Sequence, residues 1–96
     1  MIDLDFTRKI WLDADHLYNK DKVIEYFNEL FEFPDYMGKN LDALSDCLSE
    51  VNEDTTFLLT KKCVRNICEN SYAFKVLILL GNVVHENPHL NILFRE

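Results

Sequence analysis

The hexapeptide Thr55-Thr-Phe-Leu-Leu-Thr60 constrains this chain more than any other stretch. It is short, apolar and made of residues that favour extended backbone, so it reads as a buried strand. Segments of helical spacing lie on both sides of it. Upstream, Val23, Ile24, Phe27, Leu30 and Phe31 recur at intervals of three and four, which predicts a helix from about Asp21. Asn19 or Asp21 serves as its cap, and Pro34 ends it, because proline disfavours helical backbone at the residue before it. The loop Pro34–Lys39 follows, with Gly38 free to take a positive φ. A second helix is predicted from Asn40 to about Val51, then a turn at Asn52-Glu-Asp.

Downstream, Lys61 to Asn70 reads as a helix with Val64, Ile67 and Cys68 inward. Tyr72 to His85 contains Val-Leu-Ile-Leu-Leu, which would suit a strand, but its length and the Asn87-Pro88 stop favour a helix. Leu90 to Phe94 makes a closing strand, and partial alternation from Ile2 to Leu12 gives one or two short opening ones. The order strand, helix, helix, strand, helix, helix, strand implies an α/β fold with a small, mainly parallel sheet and right-handed crossovers. Ninety-six residues suffice for one core, so residues 1–96 are expected to form a single domain.

Formal charge is −7 over the whole chain, but its distribution carries the information. Between Glu25 and Asp54 nine acids face one base, Lys39, so this third carries −8 and the remainder +1. Such a field repels nucleic acid and attracts a basic partner. No apolar run approaches the roughly 18 residues that span a bilayer, and Met1-Ile-Asp-Leu-Asp lacks a signal-peptide pattern. The expectation is a soluble, cytoplasmic protein without nucleic-acid or membrane partners. Cys47, Cys63 and Cys68 are odd in number and lack metal-ligand spacing, which predicts reduced, mostly buried thiols.

Within the second helix, Leu41, Leu44, Cys47, Leu48 and Val51 gather on one side of a helical wheel. Asp42, Ser45, Asp46, Ser49 and Glu50 gather on the other. Asp42 and Asp46, four apart, stack one turn above the other. Like charges at that spacing destabilise a helix by about 0.2–0.5 kcal/mol. The cost becomes useful if a cationic partner neutralises the pair.

The run Phe33-Pro-Asp-Tyr-Met-Gly-Lys-Asn-Leu-Asp-Ala-Leu-Ser-Asp-Cys-Leu-Ser resembles the signature of the barstar family. Its Tyr-x-Gly-x-Asn-Leu-Asp-Ala-Leu-x-Asp core has too many defined positions for a chance match. Glu86-Asn-Pro-His-Leu before Asn91-Ile-Leu-Phe also resembles the family's last helix and strand. The resemblance implies a three-stranded parallel sheet flanked by about four helices. It further implies an inhibitor that plugs a ribonuclease's active site with its second helix and the preceding loop, as a 1:1 heterodimer. Tyr36, Asp42 and Asp46 match the family's main contact positions, with Gly38, Ser45, Ser49 and Glu50 around them. Asp46 matches the carboxylate that occupies the enzyme's phosphate site.

The chain departs from the family pattern at the rim. Ser45 stands where the prototype has tryptophan, Met37 replaces a second tyrosine, and Glu50-Val51 replace glycine and tryptophan. A further acidic contact in the last long helix falls among Asn82, Val83, His85 and Glu86 without settling on one. The changed rim implies a cognate toxin other than barnase, a ribonuclease delivered between competing bacteria as in contact-dependent inhibition.

Other readings have less in the residues to carry them. A Cys47 nucleophile with His16, His85 or His89 as base is contradicted by the apolar side on which Cys47 falls. No phosphate loop, nucleophile elbow or metal motif occurs, so neither an enzyme nor a cofactor is expected. Tyr26, Phe27, Phe31 and Phe33 read as core. The acidic helix alone would equally suit a non-inhibitory module that binds some other basic protein.

Overall fold

A computed structural model describes residues 7–33 and 40–95. Of the expected opening strands between Ile2 and Leu12, residues 2–6 lie outside the described residues, and β1 spans Arg8–Trp11. A single 3-10 turn, Ala14–His16, leads to helix α1, Lys20–Phe31. Helix α2 spans Leu41–Ser49, strand β2 Thr55–Thr60, helix α3 Lys61–Cys68, helix α4 Ser71–Glu86 and strand β3 Leu90–Arg95. The three strands form one parallel sheet in the order β1-β2-β3. The expected α/β fold and its three-stranded parallel sheet are thus observed.

The central position of β2 explains why its residues are apolar without alternation. Thr55 through Leu59 are all buried, and β2 pairs on both edges, Phe57 opposite Ile10 on one side and Ile92 on the other. A central parallel strand loses water on both faces and both edges, so the period-two signal of a half-wet strand vanishes. Ile10, Phe57, Leu59 and Leu90 join Val23, Phe27, Leu44, Leu48, Ile67, Val76 and Leu80 in a single core.

Side-chain caps set the helix starts. Asn19, not Asp21, caps α1 by accepting from Lys22 N, and Asn40 caps α2 by accepting from Ala43 N at 2.8 Å. Thr60 and Asn70 do the same for α3 and α4. Each oxygen satisfies an amide that the first turn leaves without a partner, typically worth about 1 kcal/mol.

Three expectations need correction. Helix α1 stops at Phe31 rather than beside Pro34, because Glu32 takes the left-handed conformation (φ 53°) and its N–H bonds to the Asn28 carbonyl. Arg8 helps close that end: its guanidinium donates to the Leu30 carbonyl and lies 5.2 Å from the centroid of the Phe31 ring. Helix α2 ends at Ser49, two residues early, with Glu50 as its C-cap.

The third correction concerns the cysteines. Cys63 points into the core, where its thiol donates to the Leu12 carbonyl at 3.3 Å, whereas Cys68 is exposed and Cys47 half-buried. Burial pushes the Cys63 thiol up from its ordinary pKa. A thiol-alkylating reagent is therefore expected to label Cys68 first in the folded protein and Cys63 only on unfolding. Mass mapping of the labelled peptides over time checks this; early labelling of Cys63 would contradict its placement. No single helix among the described residues is long and apolar enough to cross a membrane.

Candidate functional site

Helix α2 is held from within and left open on its outer side. Leu44 and Leu48 are fully buried against the core, and α2 packs on α4. Asp42 and Asp46 are both exposed, one turn apart. Ser49 is exposed too, with its hydroxyl bonded back to the Ser45 carbonyl at 2.9 Å. Among the described residues no cation pairs with either aspartate. Their repulsion is left standing on the surface.

The polar arc spreads further than a wheel suggests, and its edges face different surroundings. Asp42 and Ser45 border a groove of about 370 Å³ between α2 and α4, shared with Leu41, Lys75, Ile78, Leu79 and Asn82. Glu50 borders a larger hollow of about 620 Å³ on the opposite flank, near Arg8, Glu29, Glu32 and Glu53. Asp46 lines neither and stands on the crest between them. Of the expected contact residues, the helix brings Asp42, Asp46 and Ser49 to the crest, while Ser45 and Glu50 lie at its two edges. Tyr36 and Gly38 lie outside the described residues.

One positioning residue escapes the sequence reading. Asn87, the C-cap of α4, is buried, and its side-chain amide donates to the carbonyls of Leu48 (3.0 Å) and Val51 (3.0 Å), with that of Ser49 at 3.4 Å. Its side-chain oxygen accepts from His89 N at 2.9 Å. Helix C-termini leave their last carbonyls short of partners; Val51 N reaches the Leu48 carbonyl at 3.2 Å, and an asparagine from across the fold adds a second donor there and one for Val51. The same residue closes α4, aims the chain into β3 and clamps the end of α2. Nearby, His89 Nδ1 meets Asp54 Oδ1 at 2.9 Å, an exposed contact of small energetic weight.

The C-terminal candidates also separate. Val83 is buried and is removed as a contact, whereas Asn82 borders the α2–α4 groove. Asn82 is uncharged, so any polar contact it made there would be an amide's.

The surroundings of Cys47 do not activate its thiol: burial first, then the carboxylates of Glu50 and Asp46, push its pKa up. No group of three His, Cys, Asp or Glu side chains among the described residues is arranged to hold a metal. What the arrangement offers is a fixed pair of outward carboxylates, preorganised to meet positive charge.

Comparison with known proteins adds two findings. The family model described as Barstar (barnase inhibitor) matches residues 7–76. A protein of Bacillus subtilis (strain 168), "Putative ribonuclease inhibitor YrdF", is 35% identical over 80 residues, covering 82% of this chain and 88% of that protein. The matched family region contains β1, α1, α2, β2 and α3, and so the whole carboxylate-bearing helix.

Proposed function

Because the chain belongs to the barstar family, we propose that it is an immunity protein, blocking a cognate bacterial ribonuclease toxin by inserting α2 and the preceding loop into its active site. The observation that carries this reading is the exposed pair Asp42 and Asp46 on a helix whose inner side is locked in the core. A ribonuclease must stabilise a phosphodiester transition state, so its site is lined with cations. A rigid carboxylate in that site takes the place of the substrate phosphate and forms charge-assisted hydrogen bonds with those cations. Asp46, on the crest, is the phosphate mimic. Asp42, Ser49 and Glu50 support it from the same helix, with Tyr36 and Gly38 from the loop and Ser45 at the groove edge. The complex is a 1:1 heterodimer formed in the cytoplasm of the cell being protected.

Rigidity matters as much as charge. A carboxylate on a mobile segment would lose conformational entropy on binding, whereas α2 is ordered beforehand by its Asn40 cap, by Leu44 and Leu48, and by the Asn87 clamp.

The test is inhibition of RNA cleavage by a candidate cognate ribonuclease, sought first in the gene beside this chain's. Cleavage should stop at one equivalent of inhibitor, and the association rate should fall about tenfold or more as salt rises from millimolar to 1 M, where the screening length shrinks to about 3 Å. Full nuclease activity at a large excess of inhibitor would overturn the reading. A salt-independent association rate would remove the electrostatic part of it.

A further inference from the structure

Helix α4 carries two apolar stripes where a buried surface needs only one. Ala73, Val76, Leu80 and Val83 face the core. Phe74 and Ile78, one turn apart, lie on another side and stay 46% and 51% exposed. Ile78 borders the α2–α4 groove, which thus has an apolar lining of Leu41, Ile78 and Leu79 and the Asp42 carboxylate on one wall. Ser45, small, leaves the groove open. The groove's one cation, Lys75, has its Nζ 5.9 Å from the centroid of the Tyr72 ring, a turn nearer the start of α4.

We propose that Ile78 is a specificity-determining anchor, and that this groove receives an apolar side chain from the rim of the ribonuclease's cationic cleft, with a flanking lysine or arginine meeting Asp42. The proposal rests on the functional reading above and extends its interface from α2 onto α4. Two features of the surface favour this occupant. Asp42 belongs both to the groove wall and to the outward carboxylate pair, so a molecule seated on the pair reaches the groove without a gap. The groove has an apolar floor between Asp42 on one wall and Lys75, whose ammonium lies toward the Tyr72 ring, so a base that follows an apolar residue into it is complemented on the Asp42 side, as expected at the margin of a cationic cleft. Interfaces concentrate their energy in such desolvated apolar positions, while charges on the rim govern encounter.

The decisive experiment measures binding kinetics of the full chain with the ribonuclease that it inhibits in the cleavage test. Wild type is compared with Asp46→Ala, Ile78→Ala and Ile78→Asp. The Ile78 side chain is half exposed, so these variants should fold, which circular dichroism and thermal melting verify. Ile78→Ala should weaken binding about tenfold and Ile78→Asp about a hundredfold or more, nearly all through faster dissociation. In labelled wild type the Ile78 δ1 methyl resonance should shift on complex formation and show an intermolecular Overhauser effect. Loss of affinity in Asp46→Ala together with wild-type binding by both Ile78 variants overturns the α4 anchor and leaves the functional reading standing. Wild-type affinity in Asp46→Ala overturns both. A free chain that dimerises, and becomes monomeric in Ile78→Asp, would assign the groove to a second copy and also overturn the proposal.

Discussion

Replacing Asp46 by alanine is expected to abolish most of the affinity for the ribonuclease while leaving the inhibitor slightly more stable. Truncating one partner of a buried, hydrogen-bonded charge pair costs about 2–5 kcal/mol, a range from charged interfaces that include the family's own prototype pair. That corresponds to about 30-fold to a few thousandfold in Kd. Part of the loss belongs to the ribonuclease, whose cations stay desolvated without a counter-charge. The free inhibitor responds in the opposite sense. Asp46 lies one turn from both Asp42 and Glu50, and each like-charge contact costs about 0.2–0.5 kcal/mol. It also sits in the C-terminal half of α2, where the helix dipole disfavours a negative charge. Melting of the variant should therefore occur at or a little above the wild-type temperature, with equilibrium titration reporting the affinity. A variant that binds as tightly as wild type would show that no carboxylate at 46 stands in for phosphate. One that binds weakly but has also unfolded would leave Asp46→Asn, close in size and uncharged, as the deciding substitution.

How far these properties were legible in the residues depended on whether a local pattern or a distant contact determined them. Strand β2 follows from a short, apolar, β-prone run and the polar arc of α2 from local periodicity, and the structure reproduces both. Asn40 was legible as a cap because its partner, Ala43 N, is three residues away. Helix α3 shows where periodicity becomes ambiguous. Cys63, Val64, Ile67 and Cys68 offer two overlapping stripes, and eight residues are too few to choose between them. The choice falls to tertiary contacts, since Cys63 reaches the Leu12 carbonyl from the far side of the fold. Phe74 and Ile78 were readable in principle, as an apolar pair on nearly the opposite side of the helix from the stripe Ala73, Val76, Leu80 and Val83. They were hidden inside a run so apolar that helix or strand was itself the first question. The left-handed Glu32 had no local signal, because glycine or asparagine is the usual residue there.

Asn87 is the strongest case of a residue whose role no local pattern could reveal, and its substitution should have the largest effect on stability. Asn87→Ala removes donors from the carbonyls of Leu48 and Val51 and an acceptor from His89 N. An unsatisfied buried polar group costs about 1–3 kcal/mol; the Leu48 carbonyl keeps its bond from Val51 N, and some of the other groups would recover a water. A net loss of about 2–4 kcal/mol is expected, a large fraction of the about 5–15 kcal/mol that holds a domain folded. At about 4–8 °C per kcal/mol for a chain of this size, melting should fall by roughly 8–32 °C. The loss should be localised as well as global: amides in the last turn of α2 should exchange with solvent faster than those of β2. Binding should weaken too, though no contact residue has changed, because Asp46 would stand on a helix with a frayed end. Asn87→Asp sharpens the test through its pH dependence. An ionised carboxylate cannot donate to Leu48 and Val51 and is repelled by their oxygens, so its pKa in the folded state should rise above the ordinary value of about 3.9. The protonated form supplies one O–H donor. The deficit relative to wild type should therefore be smallest below about pH 4 and grow as pH rises through the elevated folded pKa. Denaturant melts across that range report it; a deficit independent of pH, or wild-type stability in Asn87→Ala, would mean the clamp holds nothing.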